Sequence, residues 1–552
     1  MTSRACRASA RGLALSSLSL VFAGAACGGS SGAPVDAPAP VDADDSPAAT
    51  CAALGLPSRP FADGPYGFHR GERADDFTVP LRGGGTWNLR EHWSGCDVLV
   101  FIPDTITVAS NDSTSVWAHD VDALLAASPP NVHYFFVSRK VAGIDASLDL
   151  VSGNIDRALA ALPPADAERW RARLHVVAVQ ALDLDNWLDT ALIGPGKNGL
   201  AIDRDQRVRG LGMLADVTRY DANRPGWPWA SNLAYVAHEV AYLNGEATRQ
   251  AALDADQGMD VSLWTGEVLP DGFAELDVTL PPAQVMAGFD TLVVEVTQRC
   301  PDPAKVELDN CGAWDYLAHL RVKDATGDGW TELARFITAY HRETRWTVDV
   351  SPMLASLKDG GPRRFRWEWA PSWNTQPTGT TVTLHLANRH KGMTPVAVVP
   401  LFTGGNFTSA YNAGRTPVTT TIPADARRVE LFTLVTGHGA NDNDCAEFCS
   451  HQHELTVNGH TYRKEFPMAG TDAGCIAQAA EGMTPNQGGT WWFGRGGWCP
   501  GEQVTPWIVD VTADVTPGAA ATIGYRGLFR NADPPDAGAA DIVLSSYLVI
   551  SR

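Results

Sequence analysis

Arg364-Phe365-Arg366-Trp367-Glu368-Trp369 alternates charged and large aromatic side chains without a break. Side chains of an extended chain point alternately to opposite faces, so Phe365, Trp367 and Trp369 share one face and Arg364, Arg366 and Glu368 the other. That is the pattern of a strand with one buried side. Outward from it the same character recurs in short runs, among them Ala274 to Leu280, Thr291 to Val296, Leu317 to Val322, Trp346 to Val350 and Thr380 to Leu386. Such spacing predicts a β-sandwich of the jelly-roll kind over 255–392. A second series, including Val396 to Leu401, Arg428 to Val435, His453 to Val457 and Ile542 to Ile550, predicts another over 394–552. Two adjacent sandwiches of similar size predict a ligand cleft where they meet.

Upstream, over 51–250, the pattern changes. The apolar runs Val98 to Pro103, Val132 to Val137 and Leu174 to Val179 alternate with helical stretches near Val116 to Ala127 and Ile155 to Leu162, which predicts an α/β sheet. This order, with Ala74-Asp75-Asp76-Phe77 ahead of it and a late strand near Gly199 to Asp205, resembles a thioredoxin-fold domain of the peroxiredoxin-like kind over about 70–215. The resemblance implies a nucleophilic cysteine just after the first core strand. Here that place holds Asp104-Thr105-Ile106-Thr107, and no cysteine follows until Cys300. An accessory or docking domain is expected, not a redox enzyme.

The chain has 552 residues, which suits about three domains. Its net charge of −20 argues against nucleic acid or an anionic membrane surface as partner. Arg4, Arg7 and Arg11 precede the short apolar run Gly12 to Ala26, which ends in Ala25-Ala26-Cys27-Gly28. Residues 1–27 resemble a bacterial lipoprotein signal, with Cys27 the acylated residue and a lipid anchor the expected membrane contact. Gly24 stands where such signals usually carry a bulky aliphatic residue, so ordinary secretion stays open. Residues 28–50, rich in Ala, Pro, Asp, Ser and Gly, read as a flexible tether. A periplasmic or cell-surface monomer is expected.

Leaving out Cys6 and Cys27, eight cysteines remain, an even number that reads as disulfides in an exported chain. Sequence proximity suggests Cys51–Cys96, Cys300–Cys311, Cys445–Cys449 and Cys475–Cys499, with other connectivities open. A zinc site is the weaker reading, because no Cys-x2-Cys pair occurs. Three carboxylates stand in unusual settings. Asp315 follows the expected 300–311 loop; if its segment is a strand, Asp315, His319 and Arg321 share one face while Tyr316 points to the core. Glu368 sits in the aromatic strand, and Glu447 lies inside the tight Cys445–Cys449 loop.

Five motifs occur in order: Cys311-Gly312-Ala313-Trp314-Asp315, Arg335-Phe336-Ile337-Thr338-Ala339-Tyr340, Ala397-Val398-Val399-Pro400, Cys445-Ala446-Glu447-Phe448-Cys449 with His453, and Arg495-Gly496-Gly497-Trp498-Cys499-Pro500-Gly501. Together they resemble the peptide-N-glycosidase F family over about 260–550, bacterial amidases that remove N-glycans from asparagine. The resemblance implies two packed jelly rolls with the site at their interface, N-glycosylated peptides or proteins as substrate, and no cofactor or metal. It implies Asp315 as general base, Glu447 as the acid that places the water, and Glu368 as a contact to the chitobiose core. Trp314 and Arg495 match residues beside the base, and Trp369, among other tryptophans, could present a flat face to sugar. Tyr316 departs from the family's arginine after the catalytic aspartate. His438, in Gly437-His438-Gly439, departs from its tryptophan; both bear on substrate contacts. His438, His451 and His453 also admit a copper monooxygenase-like reading, with His451 and His453 on one strand face. A third reading is a sandwich pair that binds glycan without cleaving it.

Overall fold

The computed structural model describes residues 47–104, 117, 121–193, 199–212, 235–439, 446–536 and 540–552. The signal, Cys27, most of the tether, Thr105 to Thr107 and Cys445 lie outside the described residues. The tether's last four residues belong to a helix, Pro47–Ala53, that a disulfide from Cys51 to Cys96 fastens in front of the central strand Val98–Pro103.

That strand is buried at every position, as an apolar run covered on both faces must be. Its neighbours run Leu174–Val176, Val132–Val137, Val98–Pro103, Leu200–Ile202, Val208–Gly210 across a five-stranded sheet. The first three run parallel, and each of the last two pairs antiparallel with the strand before it. Alternate residues feed two cores. Val98, Val100 and Ile102 pack under the helices Val121–Ala127, Ile144–Ala160 and Val236–Ala255. Leu99 and Phe101 pack with Phe77, Trp87 and the helix Trp187–Ile193. The helix expected near Ile155 to Leu162 is the latter half of a longer one that starts after Gly143, whose φ of 72° is cheap only for glycine.

Four four-stranded antiparallel sheets follow, forming two sandwiches. In the first, Thr344–Asp349, Thr291–Arg299, Thr378–Ala387 and Gly258–Leu269 face Trp330–Ile337, Leu317–Lys323, Gly360–Glu368 and Phe273–Pro282. Phe336, Trp346 and Trp367 fill the space between them, fully buried. The second stacks Pro395–Asn406, Asp541–Ser551, Arg428–His438 and Trp507–Asp510 on Val418–Thr421, Ala520–Phe529, His451–Val457 and His460–Glu465. Its strand residues Phe432, Leu434, Tyr547 and Val549 belong to the first sandwich's core cluster, so the two units share one apolar interface. Further disulfides join Cys300 to Cys311 and Cys475 to Cys499. Cys449 is disulfide-bonded too. Such bonds fit an exported protein. Among the described residues no helix is long and apolar enough to cross a membrane.

Two buried arginines tie these parts together. Arg335 grips Glu332 with two bonds of 2.9 and 2.8 Å and donates across the interface to the Val543 carbonyl at 2.7 Å. His319 Nδ1 and Ser545 Oγ complete the shell of Glu332 at 2.6 and 2.5 Å. Burial alone would raise the Glu332 pKa, but Arg335 and His319 outweigh it and hold the carboxyl well below its ordinary range. Arg342 pairs with Glu239 of the helix Val236–Ala255 at 3.0 Å, with Glu307 at 3.0 Å, and donates to the Pro485 carbonyl at 2.6 Å.

Candidate active site

Asp315 sits in the turn before the strand Leu317–Lys323, not within it. Thr338 pins that turn: its hydroxyl donates to the Trp314 carbonyl at 2.6 Å and accepts from the Tyr316 amide at 2.8 Å. His319 and Arg321 do share a sheet face with Glu368, since His319 pairs with Glu368 and Arg321 with Arg366 across the ladder. Tyr316 differs from expectation. Lying just ahead of the strand and not on its core face, it is half-buried beside Asp315, and its hydroxyl accepts from Asn374 Nδ2 at 3.0 Å.

Glu447 is inserted between two loops. Its amide donates to the Gly439 carbonyl at 3.0 Å, and its carbonyl accepts from the Gly496 amide at 2.7 Å. A side chain at 496 would meet the Ala446 carbonyl at 2.4 Å, so only glycine lets the loops close on Glu447. The expected Cys445–Cys449 clamp includes Cys445, outside the described residues. Arg495, next along this loop, is fully buried. Its Nε lies 3.3 Å from Glu447 Oε1 and its Nη2 lies 3.9 Å from Asp315 Oδ2. The same Nη2 donates to the Thr490 carbonyl at 2.6 Å, and the guanidinium lies 4.1 Å from the Phe448 ring centre. A substrate contact is expected of Arg495 from its motif; the structure leaves it no exposed surface and turns it toward the two acids.

Asp315 and Glu368 line one cavity of about 580 Å³, together with Tyr316, His438, Phe273 and Trp373. Glu368 is clamped by Arg321, with Arg366 at 3.6 Å on its other oxygen. Trp373 is 79% exposed and Trp314 53%, so both offer open ring faces. Trp369 does not. It is 1% exposed in the sandwich core, its Nε1 spent on the Gln376 carbonyl at 2.9 Å, which removes it from any sugar contact. His438 stacks on Trp498 at 5.3 Å, with Nε2 at 2.9 Å from Thr436 Oγ1.

Burial raises the Asp315 pKa above the ordinary aspartate value, against hydrogen bonding from Tyr340 and the charge of Arg495. Glu447 is likewise raised by burial, opposed by Arg495 and reinforced by the nearby charge of Asp315. One cation therefore serves two acids that burial disfavours as anions, and a proton is held more readily here than on a solvated carboxylate. Burial and Asp315 also raise the Tyr340 phenol, which keeps it a donor. Tyr340 stood in the second motif without a role; its packing over Gly489, where a Cβ would sit 2.5 Å from the ring, is a contact between segments far apart in sequence.

His451 and His453 share a face, joined Nδ1 to Nε2 at 2.5 Å, and His453 Nδ1 meets the Tyr525 hydroxyl at 2.7 Å. Three of their four ring nitrogens are thus engaged within the protein. The one cluster of potential metal ligands among the described residues is Cys300, Cys311 and Glu343, whose two sulfurs are joined to each other.

A buried arginine between two raised carboxyls, at the edge of a cavity where two β-sandwiches meet, defines a class of site suited to acid–base chemistry. Residues 406–549 match the family described as Peptide-N-glycosidase F, C terminal. A curated relative, peptide-N(4)-(N-acetyl-beta-D-glucosaminyl)asparagine amidase F of Elizabethkingia miricola, is 25% identical over 264 residues, 44% of this chain and 69% of that protein. The solved structure of PNGase F, a glycosylasparaginase from Flavobacterium meningosepticum, aligns over 53% of this chain and 96% of its own at 21% identity, TM-score 0.42. PNGF-II aligns over 55% of this chain and 67% of its own at 13% identity, TM-score 0.40. By these matches the chain is similar to the peptide-N-glycosidase F family, whose C-terminal domain model covers residues 406–549.

Proposed function

We propose that this protein hydrolyses the amide bond between the innermost GlcNAc of an N-linked glycan and asparagine, giving aspartate and a glycosylamine. The observation that carries the proposal is Arg495 reaching both Asp315 and Glu447 beside the cavity that Glu368 also lines. Asp315 takes a proton from the water that attacks the side-chain carbonyl. Glu447 places that water, and the proton passes to the leaving nitrogen as the C–N bond breaks. Positioned proton transfer of this kind contributes roughly 10²–10⁴-fold. Glu368, held by Arg321 and Arg366, presents its remaining acceptor capacity to sugar hydroxyls, and Trp373 offers a ring face. Arg495 and Tyr340 position Asp315.

In the same proposal, 51–250 is a thioredoxin-like accessory domain, supported by its three parallel strands followed by two antiparallel pairings. Residues 255–392 and 394–552 form the catalytic jelly rolls, and Cys27 carries a lipid that anchors a monomer at the periplasmic or outer face. The test is incubation of a defined N-glycopeptide with the protein and with Asp315→Asn, followed by mass spectrometry. Intact glycan release with Asn converted to Asp in the parent and not in the variant supports the amidase. Cleavage between the two GlcNAc units, binding without cleavage, or full activity in the variant would each sink it.

A further inference from the structure

A second cavity, about 820 Å³, opens between the α/β unit and the first sandwich and shares no lining residue with the Asp315 cavity. Although the chain carries a net charge of −20, nine arginines and seven carboxylates line this space. Most pair locally, as Arg209 does with Asp203 at 2.9 Å and Glu246 at 2.6 Å. Four do not: among the described residues no carboxylate lies within 4 Å of Arg73, Arg204, Arg207 or Arg299. Arg73 and Arg207 face each other across an antiparallel bridge, where like charges repel. Arg204 is 2% exposed; its Nη2 donates to the Pro57 carbonyl at 3.2 Å, while Nε and Nη1 are buried without a hydrogen-bond partner. Burial, and then the charge of Arg59, disfavour its cationic form, with Asp203 and Asp97 giving distant relief. A buried donor left unmade costs about 1–3 kcal/mol, more when charged, so this wall is incomplete as it stands.

We infer that the cavity binds a phosphate or sulfate group carried on a soluble ligand, with Arg204 at its floor and Arg73 and Arg207 at its rim. An oxyanion neutralises the facing pair and takes up the orphaned donors together. Three guanidinium groups offer more donors than the two oxygens of a planar carboxylate accept, which suits the three outward oxygens of a tetrahedral ester.

Isothermal titration of the full chain at fixed ionic strength, with sodium sulfate, sodium phosphate, sodium acetate and N-acetylglucosamine 6-sulfate, tests this. Saturable one-to-one binding of sulfate or phosphate is expected, weakened at least tenfold in the Arg73→Gln/Arg207→Gln double variant and lost in Arg204→Met. Tighter binding of the sugar sulfate than of inorganic sulfate would place the group on a saccharide; equal binding would make the free ion the ligand's recognised part. Because Arg204→Met could unfold the protein, the rim variant, checked for an unchanged Tm, is the deciding measurement. No saturable binding of sulfate or phosphate, undiminished binding by the rim variant, or acetate binding as tightly as sulfate would overturn the inference.

Discussion

Arg335 and Arg495 are both fully buried, both face acids, and both lie where the sandwiches meet, yet they do opposite things. Arg335 meets Glu332 fork to fork at 2.8–2.9 Å, and each of the two Glu332 oxygens has a second partner, His319 on Oε1 and Ser545 on Oε2. The result is a carboxylate held firmly ionised. Arg495 spends its donors on the Thr490 and Phe493 carbonyls and stands off at 3.3 and 3.9 Å from two different acids. Those acids are left short of compensation and their pKa values rise. The same residue types thus make a staple or a proton-handling site, depending on how completely each charge is matched.

The largest expected effect that would break this contrast concerns chemistry. Asp315→Asn should lower glycopeptide cleavage roughly 10²–10⁴-fold, measured by initial rates, with no loss of Tm. A raised folded-state pKa means ionisation costs stability as pH climbs through it, so removing Asp315 should leave neutral-pH stability equal or higher. Next, Arg335→Met should cost about 3–5 kcal/mol in chemical denaturation, because Glu332 is left buried and unpaired. The parent's Glu332 contribution runs the other way in pH: it is fully present above the ordinary glutamate value and is lost as pH falls through the depressed one. Acid unfolding of Glu332→Gln should therefore be less steep than that of the parent. A smaller effect sharpens the pairing of the acids. In Asp315→Asn the Glu447 carboxyl should titrate lower, followed by carboxyl NMR, since the Asp315 charge contributes to its rise. Smallest, Trp373→Ala should raise KM a few-fold at nearly constant kcat, as loss of an exposed stacking face would.

Much of this is legible from residue order. The alternation at Arg364 to Trp369 is the strand Gly360–Glu368 with its aromatic face inward. The same alternation also places Trp369 in the core, and a sugar-binding role for it contradicts the period that defines the strand. Tyr316 falls on the wrong face in the sequence because an i, i+2 pattern carries no information on where a strand begins. The helix Val236–Ala255 gives little signal: its buried Glu239 and Glu246 blur the apolar stripe, and their partners Arg342 and Arg209 come from distant stretches. The roles of Tyr340 and Arg321 are hidden for that reason too, since each acts on an acid supplied by another segment.

Arg342 sets a limit on how the molecule can be cut. Shortening the protein to start at Gly258 would delete Glu239 and the Gly210 carbonyl at one stroke, leaving the guanidinium with only Glu307 and the Pro485 carbonyl and its packed surroundings opened to water. A catalytic fragment made that way should express poorly unless residue 342 is redesigned as well. The front part of the chain is therefore a fitted half of the catalytic part's packing, and dissecting the two by simple truncation would report on a damaged seam.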